Sequence, residues 1–145
     1  MYIKQLSIFV ENSVGRMAEI TKAIGEAGID IRALSLADTS NFGILRLIVN
    51  RPDEAAEKLK EAGLTVSITN VIAIGIDDRP GAFSDVLAVL AKAGANVEYM
   101  YAFVSRYENR ADVILRVGDD GKGLKALTDA GITILDAKTL YDTCE

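Results

Sequence analysis

The chain says the same thing twice. FVENSVGRMAEITKAIGEAGIDI begins at Phe9 and GIDDRPGAFSDVLAVLAKAGANV begins at Gly75, and both run from an apolar strand-like stretch through a loop into an apolar helix and a glycine stop. A shift of 66 positions lays Gly15 on Gly81, Ala27–Gly28 on Ala93–Gly94 and Asp30–Ile31 on Asn96–Val97. Further on, a shift of 68 lays Gly63 on Gly131, and Leu45, Leu47 and Val49 on Val113, Leu115 and Val117. Identities are few, but the order of apolar periods and stops agrees throughout, as expected of a duplicated unit of about 70 residues. Two domains are therefore expected, 1–70 and 71–145.

Each unit reads as strand, helix, strand, strand, helix, strand. Leu6, Ile8 and Val10 recur with a period of two, then Ile20, Ala23, Ile24 and Ala27 with helical spacing before Gly28. Strands follow over 29–38 and 43–49, with Thr39, Ser40 and Asn41 as turn material. Pro52 opens a helix carrying Ala55, Ala56, Leu59 and Ala62, and Gly63 ends it. The second unit repeats the order, with a hairpin over 95–117 turning near Glu108-Asn109-Arg110, a short helix at 120–130 and a last strand at 132–138. This is the pattern of an α+β, ferredoxin-like βαββαβ unit of strand order 4-1-3-2. A unit of that size is marginal alone, and SITNVIAIG joins strand to strand without a Gly/Ser linker, so the halves are expected to pack closely. In the second strand of each unit apolar residues fall on both faces. Val97, Tyr99, Tyr101 and Phe103 read as one face with Met100, Ala102 and Val104 on the other, and Leu34 and Leu36 oppose Ile31 and Ala33. A one-sided antiparallel sheet has no use for this. The residues fill a core or an interface, or they wall a pocket.

Composition narrows the chemistry. Sixteen basic against 21 acidic residues give a net charge of −5, which does not suit a protein whose task is holding nucleic-acid backbone. With no histidine and a single cysteine, Cys144, an intrachain disulfide, a Cys/His zinc site and a histidine base are excluded within one chain. No metal or other cofactor is implied: Asp77 and Asp78 are adjacent acids without further oxygen ligands at useful spacing. No run approaches about 18 uninterrupted apolar residues. The expectation is a cytoplasmic protein with no membrane or nucleic-acid partner.

The loop DDRPGAF carries the functional question. Pro80 suits the first helical position, which leaves Gly81, Ala82 and Phe83 presenting N–H groups at a helix entrance with partial positive potential, fit for a carboxylate or phosphate. Asp78 is then either a cap or a polar ligand contact. NSVGRM repeats the arrangement, with Gly15 for Gly81 and Asn12 for Asp78. A packing glycine carried along by duplication explains the repetition equally well. No nucleotide-binding glycine pattern is present, and no spacing of acids, lysines or tyrosines nominates a catalytic pair.

These residues resemble the ACT domains, small ligand-sensing modules attached to many enzymes of amino-acid metabolism. The resemblance covers 2–70 and 71–138. It implies two ACT-like units packed side by side through their second strands into an antiparallel eight-stranded sheet with helices on one face. Effectors, commonly amino acids, bind in such pairs where the strand-to-helix loop of one domain meets the second strand of another. Carried onto this chain, the loop glycine is Gly15 and Gly81, the polar loop residue Asn12 and Asp78, and the Asn-or-Asp position Asp30 and Asn96. The first copy departs from the pattern at Val14, where the second has Pro80, and at Arg16–Met17, where the second has Ala82–Phe83. Some tandem relatives exchange their last strands, so 132–138 is open to pairing with the first unit.

The resulting expectation is a non-catalytic regulatory protein. Main-chain N–H groups at 14–17 or 81–83 receive the carboxylate of a small effector, most simply a free amino acid. Asn12 or Asp78 accepts its ammonium, and Met17, Leu34, Phe83, Tyr99, Met100 and Tyr101 wall a side chain that can be large or aromatic. A homodimer formed through Leu36, Ala102 and Val104 is also expected. A protein-interaction module without a ligand, or less readily a small-metabolite enzyme, is the alternative.

Overall fold

The computed structural model describes residues 1–38, 41–105, 107–118 and 121–141. Thr39 and Ser40 of the first expected turn, Arg106, Asp119, Asp120 and Cys144 lie outside the described residues. The element order is β1 (Ile3–Glu11), α1 (Arg16–Glu26), β2 (Ile31–Asp38), β3 (Phe42–Val49), α2 (Pro52–Glu61), β4 (Thr65–Asp77), α3 (Ala82–Lys92), β5 (Val97–Val104), β6 (Arg110–Val117), α4 (Lys122–Asp129), β7 (Thr133–Leu135) and α5 (Ala137–Tyr141). Among the described residues two compact units result, one from 4–69 and one from 70–141 with Met1–Ile3. Each is the expected ferredoxin-like βαββαβ unit, followed in the second by α5.

Strand β4 belongs to both. Its first half closes the first unit, in the order β2-β3-β1-β4, and its second half opens the second, in the order β5-β6-β4-β7. Each is 4-1-3-2 in the unit's own count, as the duplication required. Because the joining segment has no turn residues, two expected strands are one, and seven strands stand among the described residues where eight were expected. Strand β7 pairs Ala73, Ile74 and Gly75 of its own unit, so the last strand is not exchanged. Among the described residues β2 pairs with β3 and β5 pairs with β6.

The two-residue period of the strands makes the cores. In the first unit Leu6, Ile8 and Val10 of β1 and Leu45, Leu47 and Val49 of β3 pack on Ile20 and Ile24 of α1 and Ala55, Ala56 and Leu59 of α2. In the second, Ile72, Ile74, Ile76, Val113, Leu115 and Val117 meet Val86 and Leu90 of α3 and Leu127 of α4. In each unit both long helices thus cover one face of its sheet. Removing a side chain such as the fully buried Leu47 costs about 2–5 kcal/mol. The opposite face of β4 and β6 is buried too, at Val71, Ala73 and Ile114.

Two bulges change the face assignments read from alternation. The register shifts between Ile31 and Ala33 and between Val97 and Tyr99, and one extra residue inverts the parity of everything before it. Ile31 therefore shares the helix side with Leu34 and Leu36, which lie opposite Val49, Leu47 and Leu45. Val97 likewise joins Met100 and Ala102 there, while Tyr99 and Tyr101 lie opposite Arg116 and Ile114 on the other face. The dimer expected through Leu36 and Ala102 as outer-face residues loses that basis.

The last expected strand, 132–138, is cut short. Asp136 accepts a 2.7 Å hydrogen bond from the Thr139 N–H and its carbonyl accepts one of 3.0 Å from Leu140. These contacts start α5 in place of the strand's end, and Leu140 is buried. The four long helices all stop at an Ala-Gly pair. In α1 the Ile29 N–H reaches the Ile24 carbonyl and the Gly28 N–H the Gly25 carbonyl, at 3.2 and 3.0 Å, which satisfies two carbonyls the helix leaves open.

Candidate functional site

The loop between first strand and first helix has the same geometry in both units, and it differs from the sequence expectation. Helix α3 starts at Ala82, not at Pro80, and Gly81 is its N-cap at φ 89°, ψ −11°. The Ala82 N–H donates to the Arg79 carbonyl at 3.3 Å. Proline followed by a left-handed glycine in such a turn is type II. In the first unit Ser13, Val14, Gly15 and Arg16 make the same turn, with the Arg16 N–H on the Ser13 carbonyl at 3.3 Å and Gly15 at φ 85°, ψ −8°. The glycine therefore gives up no helix stability. It occupies a backbone conformation that strains a residue with a Cβ.

This turn decides which N–H groups remain. Those of Arg16 and Ala82 close the turn, and those of Glu19 and Asp85 bond the glycine carbonyls at 3.0 Å. Gly15, Met17 and Ala18, and equally Gly81, Phe83 and Ser84, have N–H groups with no partner among the described residues, and neither N-cap receives a side-chain hydrogen bond. A Cβ placed on Gly15 would meet nothing within 4 Å, and one placed on Gly81 would meet only Arg79 Nη1, at 3.7 Å. Asn12 and Asp78 are not caps. Their N–H groups donate to the carbonyls of Asn41 and Asn109, at 3.1 and 2.9 Å, and so tie each loop to the tip of its unit's hairpin.

The first unit carries a niche of about 50 Å³ beside these donors, lined by Val10, Glu11, Asn12, Met17, Leu36 and Gly43 among others. Of the expected site residues it gathers Asn12 and Met17, close to Gly15 and Val14, and Val14 is fully exposed at the tip of the turn. Glu11, Leu36 and Gly43 were not foreseen as site residues. Leu34, on the same side as Leu36, is exposed. In the second unit a cavity of about 220 Å³ lies on the other side of the helix entrance, toward β7, among Gly75, Asp77, Arg79, Ala82, Asp85 and Ile132. Phe83 is exposed and does not line this cavity, and Met100 packs on the helix-side core. Tyr99 and Tyr101, on the opposite face, cannot wall a site with Phe83 in their own unit.

Asp30 and Asn96 stand apart from the loops. The Asp30 N–H donates to Asn50 Oδ1 at 3.0 Å and its carbonyl accepts from the Asn50 N–H at 3.2 Å. The Asn96 carbonyl accepts from the Gly118 N–H at 3.3 Å. Both begin a second strand at the far end of an 11-residue helix, about 16 Å from its entrance. Within each unit they knit strands together.

The loops also differ in charge. In the second unit Arg79 binds Asp85 at 2.9 Å and reaches Asp77 at 3.8 Å. In the first, Ser13 stands where Arg79 does, and Arg16 pairs with Glu19 at 3.1 Å instead. Glu11, the counterpart of Asp77, has no side-chain partner among the described residues. Among those residues no group of three or more potential ligands could hold a metal ion, and no helix is long and apolar enough to cross a membrane.

Comparison with known proteins gives one family. A family model described as an ACT domain pair matches residues 1–143. Among solved structures, a protein from Bacteroides thetaiotaomicron is 39% identical with a TM-score of 0.92, covering 98% of this chain and 97% of that one. The ligand-free regulatory subunit of aspartate kinase from Thermus thermophilus is 19% identical with a TM-score of 0.64, covering 88% and 91%. Aspartate kinase from Synechocystis is 19% identical with a TM-score of 0.59, and there the match covers 94% of this chain but 28% of that one. A search among curated proteins finds no match.

Proposed function

The chain belongs to the ACT domain pair family, and from that premise we propose that it binds a free amino acid at the strand-to-helix loops and passes its occupancy to a partner activity. Members of the family are regulatory, non-catalytic modules. The likeness in fold to an aspartate kinase regulatory subunit supports a regulatory role.

One observation carries the amino-acid reading. The type II turn is built twice, and each copy leaves three helix-entrance N–H groups without a partner among the described residues, with nothing within 4 Å of a Cβ placed on Gly15 and only Arg79 Nη1, at 3.7 Å, near one placed on Gly81. Such donors favour a carboxylate. Asn12 or Asp78 and nearby carbonyls then accept the ammonium, and apolar residues beside the loop receive the side chain. The compartment consistent with this role is the cytoplasm. A homodimer is part of the same proposal, because the apolar side chains of Leu34 and Leu36 on β2 are 53% and 50% exposed.

Isothermal titration with each of the twenty amino acids tests the reading, on the wild type and on Gly15→Asn and Gly81→Asn. Asparagine tolerates a left-handed backbone better than valine, so the fold survives while a side chain enters the space before the donors. At least one amino acid is expected to bind, and at least one variant to weaken it tenfold. Unchanged affinity in both folded variants would remove the loops from the site. Molar mass by light scattering over a range of concentrations tests the dimer, and a strict monomer would refute it.

A further inference from the structure

We infer that helix α3 is a contact between copies of this chain: its outer face packs antiparallel against α3 of a second copy. The inference is independent of the amino-acid reading. It places a contact in the second unit, apart from Leu34 and Leu36 of the first.

The helix is apolar on more sides than its own core uses. Eight of the 11 residues of α3 are apolar, and only Asp85 and Lys92 are charged. Val86 and Leu90 enter the core of the unit. Phe83 and Leu87 are nevertheless 38% and 36% exposed, and Ala88 and Ala91 are exposed with them. A helix that is apolar all round is ordinarily covered on every side. Helix α1, built on the same plan, has an ordinary wet face. Thr21 and Lys22 stand there in place of Leu87 and Ala88, and four of its 11 residues are charged.

The two charges say what covers the face. Asp85 and Lys92 are seven residues apart, which is two turns, about 10.5 Å along one side of the helix. A twofold axis crossing α3 near Ala88 and Val89 carries each Asp85 onto Lys92 of the second copy, and brings Leu87 beside its own counterpart. Such a contact is self-complementary, as an isologous interface requires. Parallel pairing would instead set acid on acid and lysine on lysine. Lys92 is exposed and has no side-chain partner among the described residues. Asp85 holds Arg79 at 2.9 Å with its side chain 65% exposed, and a carboxylate has lone pairs for a second donor. The same axis applied to α1 would set Glu19 against Glu26 and Lys22 against itself, like charges at each point, which disfavours association. The charge pattern thus selects one helix and one orientation. An unrelated partner would need no such symmetry.

Helix α3 is about 16 Å long, and its outer face falls short of the roughly 800 Å² per partner of a standard stable interface. The pair is therefore expected to form reversibly and to depend on concentration.

The test is oxidative cross-linking of the whole chain, with Cys144→Ser as background and one cysteine placed at the axis. A disulfide needs Cα atoms within about 7 Å. Ala88→Cys should give at least tenfold more linked dimer than Lys22→Cys, the aligned position in α1. Adding Leu87→Glu or Lys92→Glu to Ala88→Cys should cut the yield at least fivefold, and Asp85→Lys combined with Lys92→Glu should restore it. Circular dichroism checks that each variant is folded. Equal yields from Ala88→Cys and Lys22→Cys, or a charge exchange that fails to restore linkage, would overturn the inference. So would an Ala88→Cys chain that stays reduced at high concentration, which would leave the face to a different protein or to none.

Discussion

Gly75→Ala is the substitution whose outcome the structure fixes most sharply. Gly75 lies opposite Asp112 in the β4–β6 register, and its missing side chain leaves room for the Arg110 guanidinium, which a Cβ would overlap at Nε, Cζ and Nη2. Arg110 holds Asp112 through Nε at 3.3 Å and lies 4.8 Å from the centre of the Tyr107 ring. Only 6% of the Asp112 side chain is exposed. A flexible arginine swings away at little steric cost, so the price is what it leaves behind. A charge-assisted hydrogen bond contributes about 1.5–3 kcal/mol, and a cation–π contact about 0.5–1 kcal/mol. The lower chain entropy of unfolded alanine offsets about 0.4–1 kcal/mol. The net expectation is a loss of about 1–3.6 kcal/mol, or roughly 3–12 °C in melting temperature. Urea denaturation of Gly75→Ala, Arg110→Ala and the double variant measures it. In the Arg110→Ala background the glycine should no longer matter. The first repeat has Phe9 at the aligned position, so a strand there accepts a side chain. If Gly75→Ala costs the same with Arg110 removed, the glycine serves the backbone and the reasoning fails.

Val14→Pro should stabilise the chain by about 0.4–1 kcal/mol, since the matching turn already carries Pro80, and a urea midpoint shifted upward would confirm it. Gly81→Val should destabilise by at least about 1–2 kcal/mol through its left-handed backbone whether or not a ligand is present, with Gly81→Asn falling between valine and wild type in the same assay. Burial pushes the Tyr141 hydroxyl up to about 12 from its ordinary 10.0. The folded state therefore favours the neutral phenol, and that contribution is whole below about pH 10 and lost as pH rises toward about 12. Thermal melts across this window should show a decline that Tyr141→Phe removes, and an identical decline in the variant would assign it elsewhere.

Much of this fold was legible because duplication and apolar period are properties of the chain alone. Leu6, Ile8 and Val10 announce a strand and its buried face, and the Ala-Gly pairs announce helix stops that the hydrogen bonds bear out. The faces of β2 and β5 were not legible, because alternation carries no mark of a one-residue bulge. One bulge at each strand's start moved Ile31 and Val97 to the helix side and left Tyr99 and Tyr101 on the face away from their helix. The short α5 hid inside an alternating Ile132 and Ile134, although Asp136 three residues before Thr139 was a cap signal in plain view. The site divides along the same line. Pro80-Gly81 could have been read as the central pair of a type II turn, which removes Ala82 from the donor set before any coordinates are seen. Glu11, Leu36 and Gly43 could not have been found by spacing, because they come from three strands and meet only through the β1–β3 and β2–β3 registers. What distinguishes them is the contrast with the second copy, where Asp77, Ala102 and Ala111 stand in their places. In a duplicated chain the shared residues specify the fold, and it is at the positions where the copies disagree that a division of labour between them has to be sought.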